Sequence, residues 1–229
     1  MAEVPGGMAT ALVVGVGPGL GRAVARRFAR EGYAVGLIAR RPEAVDELAA
    51  ELGELGVRTL ALTADVTDEP ALRNTLDRAV AELGPPDVVV YNAALIRPDV
   101  PGEMTAGEHL DAWAVNVVGA HTTASAVLPR LVERGRGTLL LTGGMPEPKA
   151  EYVSLSLGKA GLRALARMLD QRYRDAGVHV GMVTVDGPIA PGTAFDPEDI
   201  AEHYWRLHGQ RPDGWQVEYV YTGSARSLA

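Results

Sequence analysis

The sequence predicts a single doubly wound α/β domain, a parallel sheet of about seven strands with helices on both faces. Three observations carry that expectation. Short apolar runs alternate with longer amphipathic stretches along the whole chain. The apolar runs are near-continuous Val, Leu, Ile and Ala, as strands covered on both faces must be. The first run also ends in a glycine-rich turn that leads straight into a helix.

Residues 11–14 are the first expected strand, ending among Gly15, Gly17, Gly19 and Gly21. Leu20, Val24 and Phe28 then recur at helical spacing. Glycine suits this turn because it tolerates positive φ and has no side chain to hold a ligand away. The free N–H groups and dipole of the helix start favour an anion, such as a dinucleotide pyrophosphate. The spacing is G-x-x-x-G-x-G, and Leu20 stands where the strict G-x-G-x-x-G fingerprint needs its last glycine. An ordinary glycine turn gives the same pattern, so the motif alone does not decide.

Strand two is expected over 33–39, closed by Arg40-Arg41-Pro42. The helix over 43–55 places Val45, Leu48, Ala49 and Leu52 on one face. Strand three covers 58–64 and ends at Asp65-Val66, and a helix follows over 69–83. Gly84-Pro85-Pro86 breaks the chain before strand four at 88–91. A helix from 107 to about 134, strand five at 138–142, a helix over 152–176 and strand six at 178–185 continue the alternation. A short helix at 199–208 and a strand at 215–221 close the chain. Within the domain 1–229, the core is expected over 8–193, with 194–229 supplying a substrate-side helix and the last strand.

At 229 residues, 47% hydrophobic and 22% charged, the chain can bury a full core. A formal net charge of −7 argues against nonspecific nucleic-acid binding, which needs a basic surface. The absence of cysteine excludes disulfides, thiolate catalysis and Cys-ligated zinc. His203 and His208 are five apart rather than four, so they do not share a helix face as a zinc pair does, and no metal is expected. Residues 1–10 carry neither a charged n-region nor an apolar h-region. No apolar run approaches the ~18 residues of a membrane span. A cytoplasmic protein with no membrane partner is expected.

In such sheets ligands sit beyond the carboxyl ends of the strands. That rule singles out the glycine turn, Arg40 and Arg41, Asp65, Asn92, residues 142–144 and residues 186–193. Together these positions resemble the short-chain dehydrogenase/reductase family, a Rossmann-type fold, over nearly the whole chain. Gly15, Gly19 and Gly21 match its cofactor turn, with Gly17 and Leu20 lying inside it. Asp65-Val66 matches the acid that contacts adenine, and Asn92-Ala93-Ala94 matches the Asn-Ala-Gly element, with Ala94 replacing glycine. Asn116 matches the helix asparagine, and Lys159, followed by Ala160-Gly161-Leu162, matches the active-site lysine. Pro188 and Ile189 fall in the turn that the family lays against the nicotinamide, although here the order is Gly-Pro. Thr193 is close enough in sequence to reach the carboxamide. The resemblance implies NAD(P)(H) binding and the oxidation of an alcohol or reduction of a carbonyl.

Sites that prefer NAD carry an acid at the end of strand two for the ribose hydroxyls. Ala39 stands there instead, and Arg40 and Arg41 offer guanidinium forks suited to a 2′-phosphate. NADP(H) is therefore expected over NAD(H). The alternative is two solvated arginines before a proline turn.

The resemblance also implies a proton-donating tyrosine four residues before the lysine, whose charge lowers the phenol pKa. Leu155 occupies that position, and Leu141-Thr142-Gly143-Gly144 stands where the family usually ends in serine. The stretch 144–159 is also about two residues short of the family pattern. Three groups are candidates to fill the gap beside Lys159. Tyr152 lies seven residues earlier on the same helix face, ~10.5 Å along the axis, and leans away. Its direct contact with Lys159 requires the helix to begin later than residue 152. Thr142 offers a hydroxyl, unless it points into the sheet. Asn116 can hold a water or satisfy a kinked backbone. Ser154 and Ser156 read as capping or packing residues.

The leading expectation is an NADP(H)-dependent oxidoreductase acting on a small-molecule carbonyl or alcohol with a non-standard proton donor. A non-catalytic NADP-binding sensor or partner protein, and a lyase or cyclase on the same fold, are the alternatives. The helix carrying Glu202, His203, Tyr204, Arg206 and His208 is expected to face substrate. The two long helices, the second with Gly158, Ala160, Gly161, Ala164 and Ala166, are expected to join subunits into a homodimer or homotetramer. Internal packing is the other use for that small-residue surface.

Overall fold

The computed structural model describes residues 8–224. Residues 1–7 and 225–229, and with them most of the stretch read for a leader, lie outside the described residues. Seven strands form one parallel sheet: β1 (Thr10–Val14), β2 (Ala34–Ala39), β3 (Thr59–Thr63), β4 (Val88–Tyr91), β5 (Gly137–Gly144), β6 (Val178–Val185) and β7 (Glu218–Tyr221). Their order is β3-β2-β1-β4-β5-β6-β7, and the winding reverses beside β1. Val14 therefore lies opposite both Ile38 and Tyr91, and the carboxyl ends of three strands open onto one crevice.

The helices are α1 (Leu20–Arg30), α2 (Pro42–Gly53), α3 (Glu69–Leu83), α4 (Ala106–Trp113), α5 (Gly119–Glu133), α6 (Val153–Tyr173) and α7 (Pro197–His208). Side chains alternate across each strand, so β1 serves two cores. Leu12 and Val14 pack among residues of α3, α5 and α6. Ala11 and Val13 pack among residues of α1, α2 and α7. Full burial of each such Leu or Val is worth about 1.5–3 kcal/mol, so both sheet faces resist exposure. Helix starts are fixed locally. Asp68 accepts from the Ala71 N–H at 3.0 Å, Thr105 and Glu108 form a capping box, and Asp196 accepts from the Glu198 N–H.

The helix expected over 107–134 is interrupted. Between α4 and α5 the chain makes a π turn over Ala114–Val118. Its cause is visible in the side chains around it. The Tyr91 hydroxyl donates to the Val115 carbonyl, and the Asn116 amide bonds both the N–H and the carbonyl of Leu95, at 3.0 and 3.2 Å. The Tyr91 bond gives the Val115 carbonyl a partner from outside the helix, and the Leu95 bonds hold the Asn116 side chain at the bulge.

The last third departs further from expectation. The aromatic face of α7 packs on α1: Trp205 meets Phe28 edge-on, and His208 bonds Tyr33 and Thr138 at 2.9 Å each. Arg26 and Arg30 reach Glu198, and Arg27 reaches Glu202. His203 stacks on Tyr219 instead of pointing at a ligand. The cluster that suggested a substrate-facing helix is thus the seam between α7 and the sheet. Trp215 stacks on His179 before β7 begins, which shortens that strand to 218–221.

Candidate active site

The crevice at the winding reversal holds a cavity of about 860 Å³. Its floor is the glycine turn. Gly15 has φ +95°, and a methyl group there would lie 2.2 Å from the Ala93 nitrogen. One on Gly21 would lie 2.7 Å from the Gly15 carbonyl oxygen. These two glycines are demanded by the protein's own packing. Around Gly17 and Gly19 a methyl group would meet nothing within 4 Å, so the space above them is open. The first-turn N–H groups of α1, which have no acceptor within the helix, border the same cavity at Leu20 and Gly21. That arrangement fits a dinucleotide pyrophosphate.

Asn92 locks the turn in place. Its Nδ2 donates to the Gly15 carbonyl at 2.8 Å, and its Oδ1 accepts from the Thr142 hydroxyl at 2.9 Å. Ala93 and Ala94 continue the wall. At one end Ala39 and the exposed Arg40 and Arg41 border the cavity, and neither guanidinium forms a salt bridge among the described residues. Val66 lines the wall, but the neighbouring Asp65 does not. The Asp65 carboxylate instead accepts from the N–H and hydroxyl of Thr67, at 2.9 and 2.8 Å. Burial pushes that carboxyl up, but the Thr67 bonds and the Arg40 charge outweigh it and hold it below its ordinary range.

At the other end Lys159 lies buried, with its Nζ donating to the Thr142 carbonyl at 2.7 Å. Burial without a counter-ion lowers its pKa to about 8. Leu155 borders the cavity one turn before it. Gly144 carries no side chain, and a methyl group there would sit 3.8 Å from the Val185 carbonyl oxygen and 3.9 Å from the Lys159 chain, so a small side chain would fit. Pro188 and Ile189 close the roof.

The three candidate groups, and Thr193 with them, are not equally placed. Tyr152 borders the cavity, because α6 starts at Val153 and Tyr152 is its non-helical N-cap. The condition for it to leave the helix line is met. Thr142 also borders the cavity, but its hydroxyl is held by Asn92 and, at 2.7 Å, by the buried Tyr204 hydroxyl. It points toward α7, across the sheet from α6, as strand alternation requires. Asn116 is fully buried, its amide is committed to Leu95, and it does not border the cavity. Thr193 is tied into its own turn by Ala190 and Phe195 and stays outside as well.

Sequence reasoning passed over Ile96, Met145, Pro146 and Lys149, which complete the walls beside Tyr152. Met145 leaves β5 with φ +47°, an unusual backbone for a residue with a side chain. Ser156 accepts from the Lys149 N–H at 3.0 Å and donates to its carbonyl, which fastens this segment to α6. One signal was available: of the 22 basic residues only Lys149 and Lys159 are lysines, and both border this cavity. Among the described residues no cluster of metal-ligating side chains occurs, and no helix is long and apolar enough to cross a membrane.

Comparison with known proteins agrees with this geometry. The family model described as short chain dehydrogenase matches residues 9–194, and the chain belongs to that family. It is 33% identical over 222 residues to 1-deoxy-11-beta-hydroxypentalenate dehydrogenase of Streptomyces exfoliatus, covering 87% of this chain and 79% of the relative. It is 31% identical over 192 residues to cis-4-hydroxycyclohexanecarboxylate dehydrogenase of Sinomonas cyclohexanicum, covering 81% and 77%. The structure of the alcohol dehydrogenase of Thermococcus sibiricus, complexed with 5-hydroxy-NADP, superposes with a TM-score of 0.87 at 26% identity, covering 97% of this chain and 99% of that one.

Proposed function

We propose that this protein is an NADP(H)-dependent oxidoreductase that interconverts a carbonyl and an alcohol on a substrate with an apolar body. The observation that carries the reading is the division of labour among the glycines. Gly15 and Gly21 are filled by the protein itself, whereas the space over Gly17 and Gly19 is left open. Leu20, Val66, Asn92, Ala93 and Ala94 extend that cradle, and Pro188 and Ile189 cover it. Arg40 and Arg41, which form no salt bridge among the described residues, suit the 2′-phosphate. The bound nicotinamide would supply or accept the hydride. Lys159 has two N–H groups beyond its Thr142 bond with which to hold the ribose.

Ile96, Met145, Pro146 and Leu155 give the substrate end apolar walls, with the Tyr152 hydroxyl and the Lys149 ammonium as its polar groups. A hydroxy acid suits that mixture, and the names of two relatives point to hydroxy acids. The protein is read as cytoplasmic and as one domain over 1–229. Exposed Leu110, Trp113 and Val118, with Leu157 and Met168 on α6, suit a homodimer or homotetramer through the long helices. Leu155 and Gly144 favour a second reading, a sensor that binds NADP without turnover. Oxidation of NADPH at 340 nm across cyclic ketones with and without a carboxylate separates the two. Turnover, faster with the keto acids, is expected. NADPH binding without turnover on any ketone would favour the sensor.

A further inference from the structure

We infer that Lys159 itself is the proton donor for carbonyl reduction in this protein, resting on the reading that it reduces carbonyls with NADPH. The other hydroxyl and amide candidates are spoken for or remote. The Thr142 hydroxyl is held by Asn92 and Tyr204 on the far face of the sheet, and the Asn116 amide is spent on Leu95. Tyr152 stands before the first residue of α6, seven positions from Lys159, with Leu155 between them in sequence and on the cavity wall. Tyr152 forms no hydrogen bond with Lys159, whose Nζ bonds Thr142 instead. Beside the lysine stand Leu155 and Gly144, neither of which has a side-chain proton to give.

The ammonium has three N–H bonds, and one is taken by the Thr142 carbonyl. The titratable groups around it are Tyr152 and Lys149 on the segment before α6, Asp186 after β6, and Arg163 one turn further along α6. Arg163 pairs with Glu218 and bonds the Gly144 carbonyl, and no carboxylate forms a salt bridge with Lys159 among the described residues. A cation buried without a counter-ion releases its proton more readily than a solvated one, and this one is lowered to about 8. The composition points the same way. Apart from Lys149 and Lys159, both on this cavity, arginine serves the Lys/Arg positions of the chain, and arginine does not titrate.

The step balances. A bound reduced nicotinamide would supply hydride as one of its ring C–H bonds breaks and the ring is oxidised. A C–H bond forms at the carbonyl carbon, and the C=O π pair moves to oxygen. That oxygen takes a proton as one N–H bond of Lys159 breaks, leaving its electron pair on nitrogen. The neutral amine regains a proton from water. In the reverse direction the neutral amine accepts the hydroxyl proton.

Two lysines make the test direct. Protein labelled with ¹³Cε,¹⁵Nζ-lysine gives two side-chain signals, and Lys149→Arg assigns them. The Lys159 signal is expected to titrate near pH 8, and kcat/KM for NADPH-dependent reduction is expected to fall as pH rises through the same value. That inflection should persist in Tyr152→Phe. Lys159→Arg should still bind NADPH by calorimetry but lose turnover by ~10²-fold or more, the usual range for a positioned acid. Turnover whose inflection disappears in Tyr152→Phe, or that survives in Lys159→Arg, overturns the inference and leaves the reductase standing. A Lys159 signal that titrates as an ordinary lysine overturns it as well. If no ketone is reduced at any pH, the underlying reading fails, whatever Lys159 does.

Discussion

The two ends of the cavity obey different rules. Between β1, β2 and β4 the proposed dinucleotide cradle is held by the fold, through Gly15 against Ala93, Gly21 against Gly15, and Asn92 bonded to the turn. Between β5 and α6 the scaffold is equally firm, yet Leu155 and Gly144 stand beside Lys159. The polar side chains of Tyr152 and Lys149 on that wall come from the segment before α6 and its N-cap. The contrast shows that binding geometry and proton chemistry are separable properties of one crevice. Backbone N–H groups and glycine conformations make the first, and they are locked to the packing of the core. Single side chains at two or three positions make the second, and they can change without disturbing a strand.

The largest effect expected from this contrast is at Gly15. Gly15→Val forces a side chain into the Ala93 backbone at a positive φ, so urea unfolding should show a loss of several kcal/mol. Gly17→Val meets open space and should leave unfolding almost unchanged while lowering NADPH affinity at least tenfold by calorimetry. Equal stability losses in both variants would break the distinction between packed and open glycines.

Next comes the depleted end. The double change Gly144→Ser with Leu155→Tyr places two hydroxyls beside Lys159, and the free space at Gly144 admits the serine. With Lys159 already a donor, ketone reduction should rise by less than the ~10²-fold of a newly positioned acid, with NADPH affinity unchanged. A rise in affinity without a rise in rate would mean that the two ends are coupled. Arg40→Ala with Arg41→Ala should weaken NADPH by ~1.5–3 kcal/mol, the worth of a hydrogen bond to a charged group, and leave NADH alone.

The smallest effect lies outside the cavity altogether. His208, buried between Tyr33 and Thr138, has its pKa lowered to about 4 by desolvation. Its unfolded form takes up a proton near pH 6.5, before the folded form does, so stability falls as pH drops through the interval between those values. At pH 5.5 the loss is ~1 kcal/mol by that linkage. His208→Gln should flatten the slope of unfolding free energy against pH over the same interval, without altering cofactor binding.

The sheet was legible because its strands are buried on both faces and read as continuous apolar runs. The glycine turn was legible because backbone conformation restricts which residues can stand there. Three features were not. The π turn at 114–118 depends on Tyr91 and Leu95, which are distant in sequence and supply its hydrogen bonds. The direction of the Thr142 hydroxyl depends on Tyr204, sixty-two residues away. The role of α7 misled because aromatic and charged residues mark a packing seam as readily as a substrate pocket, and here α1 supplies the matching Phe28, Arg26, Arg27 and Arg30. Tyr152 turned on a single residue, since a helix starting at 153 instead of 152 brings it to the cavity wall.

Calorimetric titration of the unmodified protein with NADPH and then NADH tests the account most directly. Saturable heat with NADPH, and affinity at least tenfold weaker for NADH, is the predicted result. The absence of heat from either dinucleotide would contradict it, whatever the fold.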